Sequence, residues 1–459
     1  MSSFLTTRSS CLALLLAVTS AGFCGVGRAA DEAVAMVESL LAAEDVGERA
    51  IGLERVRYGI KGKAATDRLV ALLPTLPPAA QAQLAAALGD RADAAALPAL
   101  NALCGSSKDA SVRAACMRAF GTIGGRAEVA ALSQALVAAE PEKTAARRAL
   151  TVIGGADAVA AIAAASKSAE PETRAVLLEV LADRRERGLL SDFVAAAVDS
   201  QATVRAAAMR SLGKLGGADQ IPGMVLGFLK AEGKEREEAE KAIVMVCTKN
   251  DGRDQSAARF MEIFKAANAT DREPLLSPLA KIGGSGALEI IDGLVADADA
   301  VKRQLGLKTL VKWPDATVSK RLIDLVGSAK DPSERDLLLG GLIRIAPLPD
   351  NKLKDNEKLD LLKKTMELCT NDKDRGRVLE RANAIRTVET FRFVVPYLDE
   401  PNLAESACRS IVELAHHRKL RDDNKDEFMK ALDRVIATTK NPELIERSER
   451  YKQGKTWER

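Results

Sequence analysis

A run of about fifteen residues recurs along most of this chain. SVRAACMRAFGTIGG ends at Gly125, and altered copies end at Gly155 (KTAARRALTVIGG) and at Gly217 (ATVRAAAMRSLGKLGG). A repeat of this length indicates a stack of small helical units, each of which cannot bury its apolar face until a neighbour covers it. The repetition therefore predicts an extended array that presents surface rather than a globule around one deep core.

A basic residue recurs eleven positions before the end of the helix in each unit, and nine units share this register at steps of about thirty residues or more. The nine basic residues are Arg113, Lys143, Arg174, Arg205, Arg236, Arg272, Arg303, Arg335 and Arg377. A tenth unit carries Ala404 at this position. We interpret it as a degenerate terminal repeat.

The apolar spacing within a unit is that of a helix. One small-residue stripe consists of Val204, Ala207, Ala208, Ser211, Leu212 and Leu215, and the same spacing resumes after the glycine pair that ends at Gly217. Pro222 stands where a first helical turn tolerates proline. Because glycine adopts the left-handed conformation that closes a helix, the pair predicts a tight turn and hence two helices per unit.

An acid, a Val-Arg pair, small residues and a Gly-Gly ending follow one another in these units, as in Asp109, Val112, Arg113 and Gly124. This pattern resembles HEAT repeats and, more narrowly, the short HEAT-like repeats of phycobilisome lyases. The resemblance implies an all-α fold, a right-handed α-solenoid of about ten to twelve two-helix repeats. It also implies that the nine basic residues form a structural ladder between adjacent helices rather than a functional basic track.

The resemblance also suggests the domain organisation. Residues 31–80 are similar to the opening of exported bacterial HEAT proteins, in which a helix pair leads into a Leu-Pro-Pro-x-x-Gln turn, and we interpret them as N-terminal capping helices. Residues 81–420 are predicted to form the solenoid. Residues 421–459 are predicted to form a C-terminal capping helix and a charged tail.

The first thirty residues have the pattern of a secretory signal. Arg8 precedes an apolar run from Cys11 to Phe23, and small residues follow as far as Ala30. We expect cleavage between Ala21 and Ala30 and a periplasmic or secreted mature protein. The apolar run is too short to span a bilayer, which takes about twenty residues. A lipoprotein at Cys24 is the weaker alternative, because Phe23 stands where a small residue is expected.

Residues that carry chemistry are scarce. The chain has two histidines, His416 and His417, and adjacent residues on a helix point in different directions, so a solvated helix end is favoured over a metal site. No Cys-x-x-Cys occurs, although a disulfide between Cys104 and Cys116 stays open. The net charge of +3 gives no electrostatic footprint for nucleic acid. We therefore expect no catalytic residues, no cofactor and no metal.

Departures from the repeat are the best sequence clue to a binding face, because insertions in a stacked array become loops at one edge. Two occur, at residues 248–254 and 347–358, and neutral surface loops are the favoured interpretation of both. An aromatic residue replaces a glycine turn at Trp313, where a ring wedged between units is favoured over one displayed to a partner. The candidate partner contacts are Trp313, Arg253, Lys352 and Lys354.

The sequence thus favours an exported, non-catalytic scaffold that binds a protein or peptide along its curved surface. Two alternatives follow from the resemblance and from export. One is a HEAT-like lyase that attaches or detaches a tetrapyrrole, and the other is an accessory subunit of a larger exported enzyme. Nothing in the sequence identifies the partner or the oligomeric state.

Overall fold

A computed structural model describes residues 26–43, 45–59, 62–349 and 351–456. Most of the predicted signal, including the apolar run from Cys11 to Phe23 and the positions Ala21 and Cys24, lies outside the described residues. Ala29 and Ala30 belong to the first helix, Val26–Ala42. None of the described helices is both long enough and apolar enough to cross a membrane.

The described residues form 27 α-helices and divide into two compact units, Met1–Ser256 and Ala257–Arg459. The helices of the first unit are α1 (Val26–Ala42), α2 (Val46–Glu54), α3 (Lys63–Ala71), α4 (Pro78–Asp90), α5 (Leu97–Ser106), α6 (Ala110–Ile123), α7 (Val129–Ala135), α8 (Glu142–Val152), α9 (Ala156–Ser168), α10 (Pro171–Asp183), α11 (Leu190–Ala196), α12 (Ala202–Leu215), α13 (Ile221–Lys230) and α14 (Gly233–Thr248).

Helix α15 (Arg253–Ala266) runs across the boundary between the units. The second unit continues with α16 (Ala269–Ile282), α17 (Ser285–Val295), α18 (Ala300–Leu310), α19 (Ser319–Ser328), α20 (Pro332–Ile345), α21 (Asp355–Leu368), α22 (Asp372–Ala382), α23 (Val388–Val394), α24 (Ala404–His416), α25 (Arg418–Asp423), α26 (Lys425–Thr438) and α27 (Pro442–Lys452). Short helical turns join many of them: a π-helical turn at Arg55–Gly59 and 3-10 turns at Leu73–Thr75, Ala94–Ala96, Arg126–Glu128, Arg187–Leu189, Ala218–Gln220, Ala316–Val318 and Val395–Asp399.

The helices from α4 to α14 alternate between two layers. The even-numbered helices α4 to α14 pack side by side in one layer, and the odd-numbered helices cover one side of it. The same alternation recurs within the second unit, where the even-numbered helices α16 to α26 form the continuous layer. The predicted all-α solenoid of two-helix units is therefore confirmed as the fold.

Helix α12 shows how the sequence produces this packing. Every residue of its predicted stripe is buried, from Val204 at 0% exposure to Leu215 at 7%. Helix α13 follows, with Pro222 in its first turn as predicted. Because the stripe consists mostly of small side chains, neighbouring helices can approach closely.

The glycine pairs act differently from one unit to the next. Gly283, which ends α16, has a φ of 79° and is left-handed as predicted. Gly216, which ends α12, has a φ of −69° instead, so the predicted left-handed closure is wrong at this position. A Cβ on Gly216 would lie 2.7 Å from the carbonyl oxygen of Leu212. This position requires glycine because the chain folds back tightly on its own helix end.

Glycines also set the distance between helices of the even layer. A Cβ on Gly89 of α4 would lie 2.7 Å from both Cα and Cβ of Ala119 in α6. A Cβ on Gly213 of α12 would lie 3.1 Å from the same two atoms of Ala242 in α14. Because glycine has no side chain at these contacts, the backbones of helices in successive repeats can approach closely.

Candidate binding surface

The predicted ladder residues occupy one recurring position in the even layer. Seven of them lie four residues after the N-cap of their helix: Arg113, Arg174, Arg205, Arg236, Arg272, Arg303 and Arg335. We call this the ladder position. Lys143 lies only two residues after the N-cap Pro141. In α22 the ladder position belongs to Arg375, four residues after Asn371, and Arg377 lies two residues beyond it.

Several ladder arginines bind a carboxylate of the following unit. Nε and Nη2 of Arg113 donate to the two oxygens of Glu142 at 2.9 and 2.6 Å. Arg205 binds Glu235 in the same two-pronged way, at 2.7 and 2.8 Å. The remaining pairs of this kind are Arg174 with Asp199, Arg303 with Glu334, and Arg375 with Glu400. Each such pair joins one repeat to the next.

The other ladder residues bind backbone or stay in solvent. Arg236 donates to the carbonyl of Ala231, and Arg272 donates to that of Ala267, each at 2.7 Å. Arg335 bridges two helix ends through the carbonyls of Val326 and Leu368. Lys143 is exposed and its side chain has no partner among the described residues. Arg377 pairs instead with Asp336 and Asp374.

The carboxylate rungs predict a dependence of stability on pH. Hydrogen bonds from Arg113 lower the pKa of Glu142 below its ordinary value of 4.5. Since the folded-state pKa lies below the unfolded one, this rung stabilises the fold above about pH 4.5, and its contribution is lost as the pH falls through the folded-state pKa. The free energy of unfolding, measured in urea, should therefore fall more steeply with decreasing pH for the wild type than for Glu142→Gln. Glu237 is an exposed acid elsewhere in the first compact unit, and Glu237→Gln should show the same pH dependence as the wild type. An equal pH dependence for all three proteins would contradict the prediction.

A second set of side chains caps the opposite ends of the even helices, and the sequence analysis missed it. Nη1 of Arg184, at the end of α10, donates to three carbonyls at the end of α8, with distances of 2.9 to 3.0 Å. Two other side chains bind the end of the preceding even helix in the same way. Arg344 donates to the carbonyls of Val311 and Trp313, and Asn250 donates to those of Gly213 and Gly216. These bonds satisfy carbonyls that have no partner within their own helix.

A signal for this second set was present in the sequence. Some units end in Gly-Gly, whereas others carry Arg or Asn at the same place, as in LADRR at Arg184 and CTKND at Asn250. The insertion at residues 248–254 thus supplies a cap. The insertion at residues 347–358 does the same, since Asn351 is fully buried and donates to the carbonyls of Ile345 and Ala346.

The solvent side of the even layer carries a regular column of charged side chains. They lie five residues after the ladder register on five successive even helices, α6 to α14: Arg118, Arg148, Glu179, Arg210 and Lys241. We call this set the charged column. Four of its five members are basic, and all four are exposed. Neighbouring helices lie about 8 to 10 Å apart, so the column presents similar groups at that interval.

Part of the charged column is neutralised by acids. Glu179 accepts hydrogen bonds from both Arg147 and Arg210, at 3.0 and 2.6 Å. Asp183, one turn further along α10, binds Arg147 and Lys214 in the same manner. Lys241 binds Glu238 on its own helix at 2.7 Å. Arg118 and Arg148, by contrast, make no hydrogen bond or ion pair with any described residue.

Two shallow grooves lie beside these features in the first unit. One, of about 490 Å³, runs between α6 and α8 and is lined by Arg118, Arg147, Arg148 and Val152, among others. The other, of about 610 Å³, lies beside Gln81, which occupies the ladder position of α4. Gln81 donates to the carbonyl of Leu73 and forms no bond to the next unit.

The candidate partner contacts from the sequence lie apart from the α6–α8 groove. Trp313 is only 3% exposed and its Nε1 donates to Thr317, so its ring packs inside the second unit and is not available to a partner. Arg253 and Lys354 are exposed at the starts of α15 and α21. Lys352 is exposed with its Nζ 3.1 Å from Asp315.

The cysteines and histidines have local structural surroundings. Cys104 and Cys116 are both free thiols, and burial raises the pKa of Cys116 to about 12. His416 Nδ1 lies 3.1 Å from the hydroxyl of Tyr451, and His417 neighbours it at the end of α24. Within the described part of the chain, no three His, Cys, Asp or Glu side chains are grouped to hold a metal ion.

Comparison with solved structures finds similar chains at low sequence identity. Kap95p, in a structure concerned with the switch loops of RanGDP, shows 11% identity and a TM-score of 0.46, with 96% of this chain and 67% of that chain covered. Kap121p bound to the SUMO protease Ulp1p shows 10% identity and a TM-score of 0.48, with 97% and 54% covered. Human deoxyhypusine hydroxylase shows 16% identity and a TM-score of 0.25, with 63% and 99% covered. We infer no function from these similarities.

This chain spans about half the length of the Kap121p chain. No curated protein matches its sequence. The family model for HEAT repeats matches residues 66–151 and 158–244, which contain the whole of helices α4 to α7 and α10 to α13. The alternating two-helix units show that the chain is an all-α solenoid, and the part of it within these two ranges matches the HEAT-repeat model.

Proposed function

We propose that this protein is an exported, non-catalytic scaffold that binds a protein or peptide partner across the solvent side of its even layer. The observation that carries the proposal is the charged column, in which five successive even helices present side chains at one repeated position. Ion pairs between repeats account for the regular spacing of the first basic register, but they do not require a second, exposed register. A surface repeated helix by helix suits an extended partner better than a small ligand.

The flanks of the charged column support contact with a protein. Met245 of α14 is 40% exposed and Val152 of α8 is 65% exposed, so apolar side chains accompany the charges on the same layer. A mixture of arginine with exposed apolar groups is typical of interfaces between proteins. The leader pattern of residues 1–30 supports export.

Site-specific photo-cross-linking in the native organism tests this proposal. A photoreactive amino acid at Met245 should give a discrete cross-linked species with a protein partner. The matched control is the same amino acid at Leu226, which is 60% exposed but belongs to α13 in the odd layer. Cross-links from Leu226 alone, or from neither position, would contradict binding by the even layer. Amino-terminal sequencing of the mature protein should find a new terminus between Ala21 and Ala30, and an intact Met1 would contradict export.

A further inference from the structure

We propose that the groove between α6 and α8 binds an extended acidic segment of the partner, with Arg118 and Arg148 as the carboxylate-binding residues. This inference rests on the proposed function and names the chemistry of the partner. Both arginines are exposed, both line the groove, and neither has a hydrogen bond or ion pair among the described residues. A guanidinium group offers five donors in a planar fork that matches a carboxylate.

The acids of the neighbourhood are already occupied. Glu142 is bound by both prongs of Arg113. Glu140 keeps its charge, with one hydrogen bond from the backbone N–H of Thr144 at 3.3 Å, but it precedes α8 and lies eight residues before Arg148. Glu179 and Asp183 hold Arg147, the third arginine of the groove, from the next helix. The two unpaired arginines therefore leave a local excess of positive charge in a chain whose overall net charge is only +3.

The floor of the groove is apolar, so the partner segment should carry an aliphatic side chain as well as carboxylates. Ala149 forms part of it, and the side chain of Val152, 65% exposed, stands at its edge. An aliphatic side chain next to the acids of the partner would cover Val152 and remove apolar surface from water. A partner segment that combines carboxylates with an aliphatic residue thus fits this groove better than a free anion.

The spacing of the arginines indicates an extended conformation. Arg118 and Arg148 occupy equivalent positions on adjacent helices, whose axes lie about 8 to 10 Å apart. A polyproline-type segment advances about 3.1 Å per residue and returns to the same face every third residue. Acids three residues apart would therefore point at both arginines.

Fluorescence anisotropy with the full-length mature protein and a labelled peptide tests the inference. The probe is a twelve-residue peptide with glutamate at every third position and alanine or leucine between them. A peptide with lysine in place of glutamate is the control for charge. The wild type should bind the glutamate peptide saturably and should not bind the lysine peptide, and added salt should weaken binding.

The decisive comparison is between two variants of equal charge change. Arg118→Glu/Arg148→Glu should weaken binding at least about tenfold, since two charge-assisted contacts become repulsions. Arg126→Glu/Arg187→Glu alters two exposed arginines in 3-10 turns of the same unit that precede odd helices, and it should bind like the wild type. Circular dichroism checks that both variants fold, and Arg118→Gln/Arg148→Gln replaces the first if it does not.

Each remaining outcome decides the matter. Equal weakening in both variants would mean diffuse charge attraction and would overturn the groove as the site. Tighter binding of a single-stranded oligonucleotide than of the glutamate peptide would overturn an acidic protein segment as the occupant. If the glutamate peptide fails to bind the wild type while the cross-link from Met245 still forms, and forms equally in Arg118→Glu/Arg148→Glu, the groove proposal fails and the scaffold proposal stands.

Discussion

Replacing Gly89 with leucine should lower the free energy of unfolding of the first unit by about 3 kcal/mol. Gly89 is buried in α4, and even a Cβ there would lie 2.7 Å from the backbone Cα of Ala119 in α6. Backbone atoms cannot turn aside as a flexible side chain does, so the two helices must separate. Such a separation would also loosen the neighbouring contacts between the same helices.

The matched control for this substitution is Gly105→Leu in α5 of the same unit. No atom lies within 4 Å of a Cβ built on Gly105, so leucine meets no obstacle there. Because leucine has a higher helix propensity than glycine, Gly105→Leu should leave the free energy of unfolding unchanged or raise it by up to about 1 kcal/mol. Thermal and urea unfolding of both variants measure the difference. Equal stability of the two variants would show that the even layer is not held at the distance that the structure gives.

The repeated unit was the part of this molecule that its sequence predicted best. The apolar stripe of α12 and the proline of α13 follow from helical periodicity alone, because every unit repeats the same local rules. The partners of the ladder could not be found in that way. Arg113 has Asp109 four residues before it, but it binds Glu142 of the next unit. Proximity along the chain therefore does not identify the acid that each arginine binds, because the stacking of repeats decides it.

Features that break the repeat were the hardest to predict. The side chain of Trp313 is only 3% exposed, which agrees with a ring that is not displayed to a partner, whereas its wedging between units stays a prediction. The charged column follows the same period as the ladder, since Arg118 lies five residues after Arg113 and Arg148 lies five residues after Lys143. Whether such residues are paired depends on acids contributed by a neighbouring helix, as Glu179 shows for Arg210. Sequence periodicity locates the column but leaves its unpaired members unidentified.

Replacing Arg184 with methionine should lower the free energy of unfolding of the first unit by about 2 to 3 kcal/mol, because one largely buried guanidinium holds three carbonyls at the end of α8. Nη1 of Arg184 lies 3.0 Å from the carbonyl oxygens of Leu150 and Thr151 and 2.9 Å from that of Ile153. Its side chain is 11% exposed, so water cannot readily replace it as the donor. Methionine keeps most of the apolar stem but also removes the ion pair with Glu186, whose contribution is small because Glu186 is part exposed, so the loss reports mainly on the cap.

Arg187→Met serves as the control, because Arg187 is exposed and its side chain has no partner among the described residues. Its substitution should change the free energy of unfolding by no more than about 0.5 kcal/mol. Hydrogen exchange adds a local measurement: the amide of Ile153, bonded to Ala149 at 2.8 Å, should exchange faster only in Arg184→Met. If both variants unfold together and Ile153 stays protected, the end of α8 does not depend on a cap from the next repeat. If Ile153 exchanges faster but the free energy of unfolding hardly changes, the cap prevents only local fraying at the end of α8.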